Sequence, residues 1–120
     1  MNGKVVVNLS TGLEDAERVI VAFLVGAAAL EQGKDVVFFL TKEAVRLAQP
    51  GVAEGEACTG CPPLERVFAQ LADGGAQLYA CPFCVGSRGL DDAELVANAR
   101  VAGATPLWEW IGDGATVFSY

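Results

Sequence analysis

Residues 4–40 read KVVVNLSTGLEDAERVIVAFLVGAAALEQGKDVVFFL, and this stretch decides the fold. Its two ends, residues 4–9 and 35–40, are largely apolar runs rich in Val and Phe, which is typical of strands buried on both faces. Between them, apolar side chains recur every three or four positions over residues 14–32, and this spacing predicts a helix that ends at Gly33. The stretch therefore predicts a strand–helix–strand unit with parallel strands.

The rest of the chain continues this alternation of strands and helices. Helices are predicted over residues 42–48, 62–73 and 91–100, strands over residues 77–80 and 115–119, and residues 107–111 fit either a short helix or an edge strand. Residues 50–61 form a long loop, and such a loop in a compact domain is more often functional than idle. The pattern predicts one domain over residues 1–120, a three-layer α/β/α sandwich with a mainly parallel sheet of four to five strands.

The composition narrows the classes of partner. The chain carries 15 acidic and 8 basic residues, a net charge of −7, and no histidine. Because phosphate binding needs clustered Lys and Arg, the sequence predicts no nucleic-acid partner. The lack of histidine excludes His-assisted triads and His metal sites. Only 19% of the residues are charged while 52% are hydrophobic, which predicts that part of the surface is buried in a homo-oligomer.

The longest apolar run, residues 19–30, does not predict a membrane span. It is closed by Arg18 and Glu31, and its 12 residues fall short of the roughly 20 that a bilayer requires. The N-terminus leads into a predicted strand rather than a signal peptide. We therefore expect a cytoplasmic protein without membrane contact, in which the four cysteines are reduced, metal-bound or catalytic rather than paired as structural disulfides.

The four cysteines form two CxxC pairs, Cys58-Thr-Gly-Cys61 and Cys81-Pro-Phe-Cys84. The 19 residues between the pairs match the spacing of four-cysteine zinc sites. One hypothesis is therefore a non-enzymatic oligomeric module with zinc held by Cys58, Cys61, Cys81 and Cys84. A second is a thiol–disulfide redox protein that uses the CxxC pairs. Free cysteines that serve only as small buried hydrophobic residues are a further interpretation, which the paired spacing disfavours.

Cys81 has the strongest signs of a reactive thiol. It follows the predicted strand 77–80 directly, and Pro82 suits the first position of a helical turn, so Cys81 is predicted to be the N-cap. An N-cap thiol faces unsatisfied backbone N–H groups, which favour the thiolate. Cys84 lies one turn on, where it is placed to attack a sulfur carried on Cys81, and Arg88 a further turn on is predicted to hold the anion.

The stretch Tyr79-Ala-Cys-Pro-Phe-Cys-Val-Gly-Ser-Arg-Gly-Leu90 resembles the cysteine loop of the DsrE/DsrF-like family, which includes TusD- and YchN-like members. In that family a cysteine just after a strand is followed seven residues later by Arg-Gly, and Cys81 and Arg88-Gly89 match this register. The resemblance implies a three-layer α/β/α domain that assembles as a trimer or hexamer. It also implies a cysteine that carries sulfur as a persulfide and passes it to a small partner protein.

The resemblance favours a sulfur carrier or sulfurtransferase-like protein without a cofactor. In this hypothesis Cys81 holds sulfane sulfur as a persulfide, Arg88 stabilises the anion and Cys84 resolves it. Donor and acceptor proteins would be its partners. The Cys58–Cys61 pair lies outside the family pattern, and it leaves the redox and zinc alternatives open.

Overall fold

The computed structural model describes residues 3–91 and 93–120 of the chain. Within these residues the strands are β1 (Lys4–Leu9), β2 (Asp35–Leu40), β3 (Gln77–Ala80), β4 (Ala99–Val101) and β5 (Thr116–Ser119). They form one sheet in the order β4-β3-β2-β1-β5, and every neighbouring pair is parallel. The predicted parallel sheet is confirmed, with the first strand–helix–strand unit at its centre.

The helices alternate with the strands along the chain. They are α1 (Ala16–Glu31), α2 (Leu64–Asp73), α3 (Pro82–Ser87) and α4 (Ala104–Ile111), with 3-10 segments at Leu13–Asp15 and Lys42–Ala48. The predicted helices over residues 14–32, 42–48 and 62–73 are thus present, the second of them in the 3-10 form. Residues 107–111, which fitted either a helix or a strand, lie in α4.

The main core lies between the sheet and the layer that contains α1 and α2. Phe23 on α1 meets Phe38 on β2 edge to face, with the ring centroids 4.9 Å apart. Gly26 lies over the Phe38 ring, and a Cβ atom at this position would come within 2.5 Å of the ring carbon Cζ. The glycine therefore lets α1 approach β2 closely enough for the two rings to pack.

The opposite face of the sheet is covered by α4. Here the buried residues Val37, Tyr79 and Ala102 pack against Leu107 and Trp110. Lys4, at the start of β1, donates a hydrogen bond from Nζ to the carbonyl of Trp110 at 2.6 Å. A cation is favoured at the C-terminal end of a helix, so this contact fixes α4 on the sheet. α4 completes the three-layer α/β/α sandwich that was predicted.

The helix predicted over residues 91–100 is wrong. Its basis was the acidic pattern of Asp91 and Glu94 at a presumed first turn, but residues 93–98 contain no helix. Asp92, which belongs to the same acidic cluster, lies outside the described residues.

Pairing with the edge of β3 explains why the strand β4 forms in place of this helix. The Leu78 N–H donates to the Asn98 carbonyl at 2.9 Å, and the Ala102 N–H donates to the Ala80 carbonyl at 3.0 Å. These bonds satisfy backbone groups that the edge of β3 would otherwise expose, and helix propensity is too weak to compete. No helix in the described part of the chain is long and apolar enough to cross a membrane.

Candidate active site around Cys81

Cys81 lies at the carboxyl end of β3, with its backbone held on both sides. Its N–H donates to the Leu40 carbonyl at 2.9 Å, and its carbonyl accepts from the Val85 N–H at 3.0 Å. The first bond extends the pairing of β3 with β2, and the second is the first bond of α3. The residue therefore has a fixed position where a parallel sheet presents its functional groups.

The structure confirms that Cys81 is the N-cap of α3 and that Pro82 occupies the first helical position. The next two amides, those of Phe83 and Cys84, have no carbonyl partner within the helix, because the first turn of any helix leaves its N–H groups unpaired. The Cys81 side chain is half-buried, free and makes no capping hydrogen bond. The thiol therefore has no hydrogen-bond partner in the helix, and its residue stands at the end of α3 where the backbone N–H groups are unpaired.

Cys84 lies one turn further along α3 and is also free and half-buried. Val85 buries its side chain in the core and anchors the short helix, whereas Phe83 is 86% exposed. α3 therefore carries one buried face, two thiols near its surface and an aromatic ring in solvent.

Arg88 is the C-cap of α3 and lies at the opposite end of the helix from Cys81. Its Nε donates to Glu43 Oε2 at 2.5 Å, and its Nη1 donates to the Cys84 carbonyl at 3.3 Å and to Ser87 Oγ at 3.2 Å. These contacts tie the end of α3 to the 3-10 segment that follows β2. None of these hydrogen bonds is made to Cys81. The role of Arg88 in holding an anion on Cys81 therefore stays a prediction.

Glu43 is a site residue that sequence reasoning missed. Its second oxygen, Oε1, accepts a hydrogen bond from Arg46 Nε at 2.9 Å. The hydrogen bond from Arg88, followed by that from Arg46, holds the pKa of the Glu43 carboxyl below its usual value. A signal was present, because Glu43 follows β2 at the same edge of the sheet at which Cys81 follows β3.

Gly103 is a second missed residue. It is the N-cap of α4, and a Cβ atom there would lie 3.3 Å from Cδ and 3.4 Å from Cγ of Pro82. The start of α4 therefore rests against the first residue of α3. A side chain at Gly103 would press on the turn that carries Cys81.

Cys58 and Cys61 form a disulfide in the structure. The Cys61 N–H donates to the Cys58 carbonyl at 3.0 Å, and this turn brings the two Cα atoms to 5.1 Å, within the range that a disulfide requires. We expected each cysteine to be reduced, metal-bound or catalytic; this pair is neither reduced nor bound to metal, which leaves the catalytic alternative. Cys81 and Cys84 remain free thiols.

The four cysteines do not form one cluster. Among residues 3–91 and 93–120, which include all four, no three Cys, Asp or Glu side chains lie together as metal ligands would. The sulfurs of Cys58 and Cys61 are bonded to each other and offer no thiolate to a cation. A four-cysteine zinc site would require both the reduction of this disulfide and a rearrangement of the loop that carries it.

Comparison with known proteins assigns the chain to a family. A sequence model of the DsrE/DsrF-like family matches residues 3–120. The chain belongs to the DsrE/DsrF-like family. An uncharacterized protein of Methanopyrus kandleri is 26% identical over 104 residues, which cover 87% of this chain and 83% of that protein.

Solved structures share the fold of this DsrE/DsrF-like chain. The ychN protein from E. coli superposes with a TM-score of 0.80 at 20% identity, over 100% of both chains. A protein of unknown function from Methanobacterium thermoautotrophicum has a TM-score of 0.64 at 14% identity, over 98% of this chain and 99% of that one. A conserved protein of unknown function from Bacteroides thetaiotaomicron has a TM-score of 0.62 at 20% identity, over 99% and 96% of the two chains.

Proposed function

We propose that this DsrE/DsrF-like protein is a cytoplasmic sulfur carrier that holds sulfane sulfur as a persulfide on Cys81 and passes it to a partner protein. The observation that carries the proposal is the position of Cys81. It is a free, half-buried thiol at the carboxyl end of β3, with its backbone fixed at the N-cap position of α3. Family membership supports the same chemistry.

Loading is a thiol-exchange step. The Cys81 thiolate attacks a sulfane sulfur of a polysulfide or of a donor's persulfide, a new S–S bond forms, and the donor leaves as a thiolate. The resulting persulfide on Cys81 is anionic at its outer sulfur. The amides of Phe83 and Cys84 point toward the N-terminal end of α3 and would stabilise that charge. No cofactor is needed, because each step exchanges one S–S bond for another.

Release follows one of two routes. A thiolate of an acceptor protein attacks the outer sulfur, takes it, and leaves the Cys81 thiolate behind. Alternatively, Cys84 attacks the inner sulfur, which forms a Cys81–Cys84 disulfide and expels sulfide. We assign the resolving role to Cys84 because it lies one turn from Cys81 on the same short helix.

We assign to Arg88 the task of keeping α3 in the orientation that this chemistry requires. A helix of six residues has little stability of its own. Arg88 holds its last turn through the Cys84 carbonyl and ties that turn to Glu43. Because Arg88 caps the opposite end of α3 from Cys81, its charge would act on a persulfide there only at long range.

The carrier is proposed to work as a homo-oligomer, a trimer or hexamer. Leu24 on α1 is 37% exposed and Phe118 on β5 is 41% exposed. Between the two elements lies a groove of about 410 Å³, lined largely by apolar residues that include Val25, Ala28 and Phe118. An apolar surface of this kind beside an open edge strand favours burial against another copy of the chain.

A thiol–disulfide redox protein is the second candidate. The observation that favours it is the Cys58–Cys61 disulfide. One CxxC pair of the chain is thus oxidised to a disulfide, while the other, Cys81 and Cys84, is in the thiol form. Persulfide formation separates the two functions. The wild-type protein, reduced and freed of reductant, is treated with polysulfide and analysed by intact-mass spectrometry. A carrier gains a sulfur atom that peptide mapping places on Cys81, whereas a redox protein loses two hydrogens and gains no sulfur.

A further inference from the structure

We propose that the Cys58–Cys61 disulfide is a second reactive site, which accepts sulfide and delivers it as sulfane sulfur to Cys81. This inference rests on the proposed function of Cys81 as a carrier and names the source of its sulfur. It assigns a task to the CxxC pair that the carrier chemistry of α3 does not use.

Topology places the two cysteine pairs at the same edge of the sheet. α2 connects β2 to β3, and because these strands are parallel, α2 must run back against them and begin at their carboxyl ends. Cys61 lies three residues before Leu64, the first residue of α2. Cys81 follows the last residue of β3 at the same carboxyl edge. All four cysteines also pack against the same apolar core.

The oxidation states of the two pairs are complementary. Cys58 and Cys61 are joined as a disulfide, whereas Cys81 and Cys84 are free thiols. Conversion of sulfide into sulfane sulfur removes two electrons from the sulfur, and the disulfide is an acceptor for two electrons. The chain thus holds both the oxidant and the thiol that would receive the product.

The reaction balances within these groups. Hydrosulfide attacks one sulfur of the Cys58–Cys61 disulfide, which breaks the S–S bond, forms a persulfide on one cysteine and releases the other as a thiolate. The loop that carries the pair then moves this persulfide to α3, and the Cys81 thiolate attacks its outer sulfur. Cys81 becomes the persulfide, and the first pair is left as two thiols. Sulfide is oxidised by two electrons and the disulfide is reduced by two.

The position of the disulfide favours an exchangeable bond over a structural one. It closes a loop of four residues, and disulfides that close short loops constrain the unfolded chain least. The same segment is already closed by backbone bonds, from the Cys61 N–H to the Cys58 carbonyl and from the Leu64 N–H to the Glu56 carbonyl at 2.9 Å. Both sulfur-bearing residues are only half-buried, so a small nucleophile has access to them.

Sulfide treatment of the oxidised protein tests the inference. The wild-type chain with its Cys58–Cys61 disulfide intact is exposed to polysulfide-free sulfide without oxygen, then alkylated and mapped by mass spectrometry. We expect one added sulfur per chain on Cys81, together with two newly alkylated thiols at Cys58 and Cys61. The double variant Cys58→Ser/Cys61→Ser should load from sulfide at least about tenfold more slowly, while it loads from polysulfide as the wild type does.

Cys81→Ser separates the two steps. In this variant sulfide should still open the disulfide, and the added sulfur should stay on Cys58 or Cys61. A wild-type disulfide that survives sulfide treatment overturns the inference, as does equal loading of the double variant and the wild type from sulfide. The delivery step is overturned if sulfide opens the disulfide but no sulfur reaches Cys81, while Cys81 still accepts sulfur from polysulfide. If Cys81 fails to load from polysulfide, the carrier function is refuted instead. The opening of the Cys58–Cys61 disulfide by sulfide is measured separately and still tests the reactivity of that disulfide.

Discussion

The carboxylate of Glu43 accepts a hydrogen bond from Arg88 at 2.5 Å, although the two residues lie 45 positions apart in the chain. The contact joins the segment that follows β2 to the last turn of the helix that follows β3. Since α3 carries both free cysteines, a pair of charges some distance from Cys81 sets how the thiol-bearing helix sits on the sheet. Removal of either charge should therefore affect both stability and the reactivity of Cys81.

Glu43→Gln should reduce the stability of the fold near neutral pH. It should also make that stability less dependent on pH in the acidic range. The folded protein holds the pKa of Glu43 below its usual value. The ion pair therefore stabilises the fold at pH values above the usual pKa of a glutamate. The contribution is lost as the pH falls through the lowered pKa. Thermal denaturation of the two proteins from neutral to acidic pH should show melting temperatures that converge in acid.

Glu109→Gln, which neutralises an exposed carboxylate on α4, is the matched control and should leave the pH profile unchanged. The rate at which Cys81 is alkylated should fall in Glu43→Gln and not in the control. A Glu43→Gln protein with the wild-type profile and wild-type alkylation rate would show that the ion pair does not position α3.

The central strands were predictable because strands buried on both faces have a continuous apolar sequence, and residues 4–9, 35–40 and 77–80 all have this character. The edge strand Ala99–Val101 was not predictable from the sequence. It has only three residues, two of them exposed, and it forms because it pairs with the open edge of β3. A local acidic pattern could not reveal that competing partner.

The candidate site divides in the same way. The N-cap position of Cys81 follows from a strand that runs into Cys-Pro, which is local information. The hydrogen bond between Glu43 and Arg88 could not be predicted in this way. The sequence has 15 acidic residues, and which of them contacts Arg88 is determined only when the sheet brings distant segments together. The contact of Gly103 with Pro82 depends on the order of β3 and β4 in the sheet and was hidden for the same reason.

Gly103→Ala should disturb the Cys81 turn. The new methyl group would lie about 3.3 Å from the Pro82 ring, closer than ordinary packing, and overpacking of this kind costs on the order of 1 kcal/mol. We expect a small loss of stability in chemical denaturation and slower loading of Cys81 from polysulfide. Gly86→Ala, on α3 itself, meets nothing closer than 3.5 Å and should be neutral or slightly stabilising. Identical loading rates for Gly103→Ala and Gly86→Ala would count against the positioning role.

The apolar surface between α1 and β5 should be an interface between copies of the chain. Light scattering of the wild-type protein at micromolar concentration should give three or six times the chain mass of 12.5 kDa. Val25→Glu together with Phe118→Asp places charges in that surface and should shift the protein toward smaller species. Phe83→Ser removes an exposed apolar side chain that lies on α3 and does not line the groove, and it should leave the assembly intact. A stable wild-type monomer would refute the interface.

Metal content tests the zinc alternative. We expect protein purified under reducing conditions to contain far less than one zinc per chain, and its stability to be unaffected by a chelator. The reason is that, among the residues that the structure describes, no three Cys, Asp or Glu side chains are grouped as metal ligands. One equivalent of zinc with all four thiols protected from alkylation would replace the carrier hypothesis with the zinc-bound module.

Cys81 and Cys84 should differ in reactivity although they lie on the same short helix. Cys81 is the N-cap of α3 and its sulfur makes no capping bond, whereas Cys84 lies within the helix and its carbonyl is held by Arg88. We therefore expect Cys81 to be alkylated faster at neutral pH and to take up most of the sulfur from polysulfide. Peptide mapping after brief treatment with an alkylating agent or with polysulfide measures both.

The two serine variants assign the roles. Cys81→Ser should abolish loading, because the group that forms the persulfide is gone. Cys84→Ser should load normally but release sulfide more slowly when no acceptor is present, because only the resolving thiol is lost. Each variant is the control for the other, since both remove one thiol from α3. Equal loading of Cys81→Ser and the wild type would refute Cys81 as the carrier, and unchanged release from Cys84→Ser would remove the resolving role.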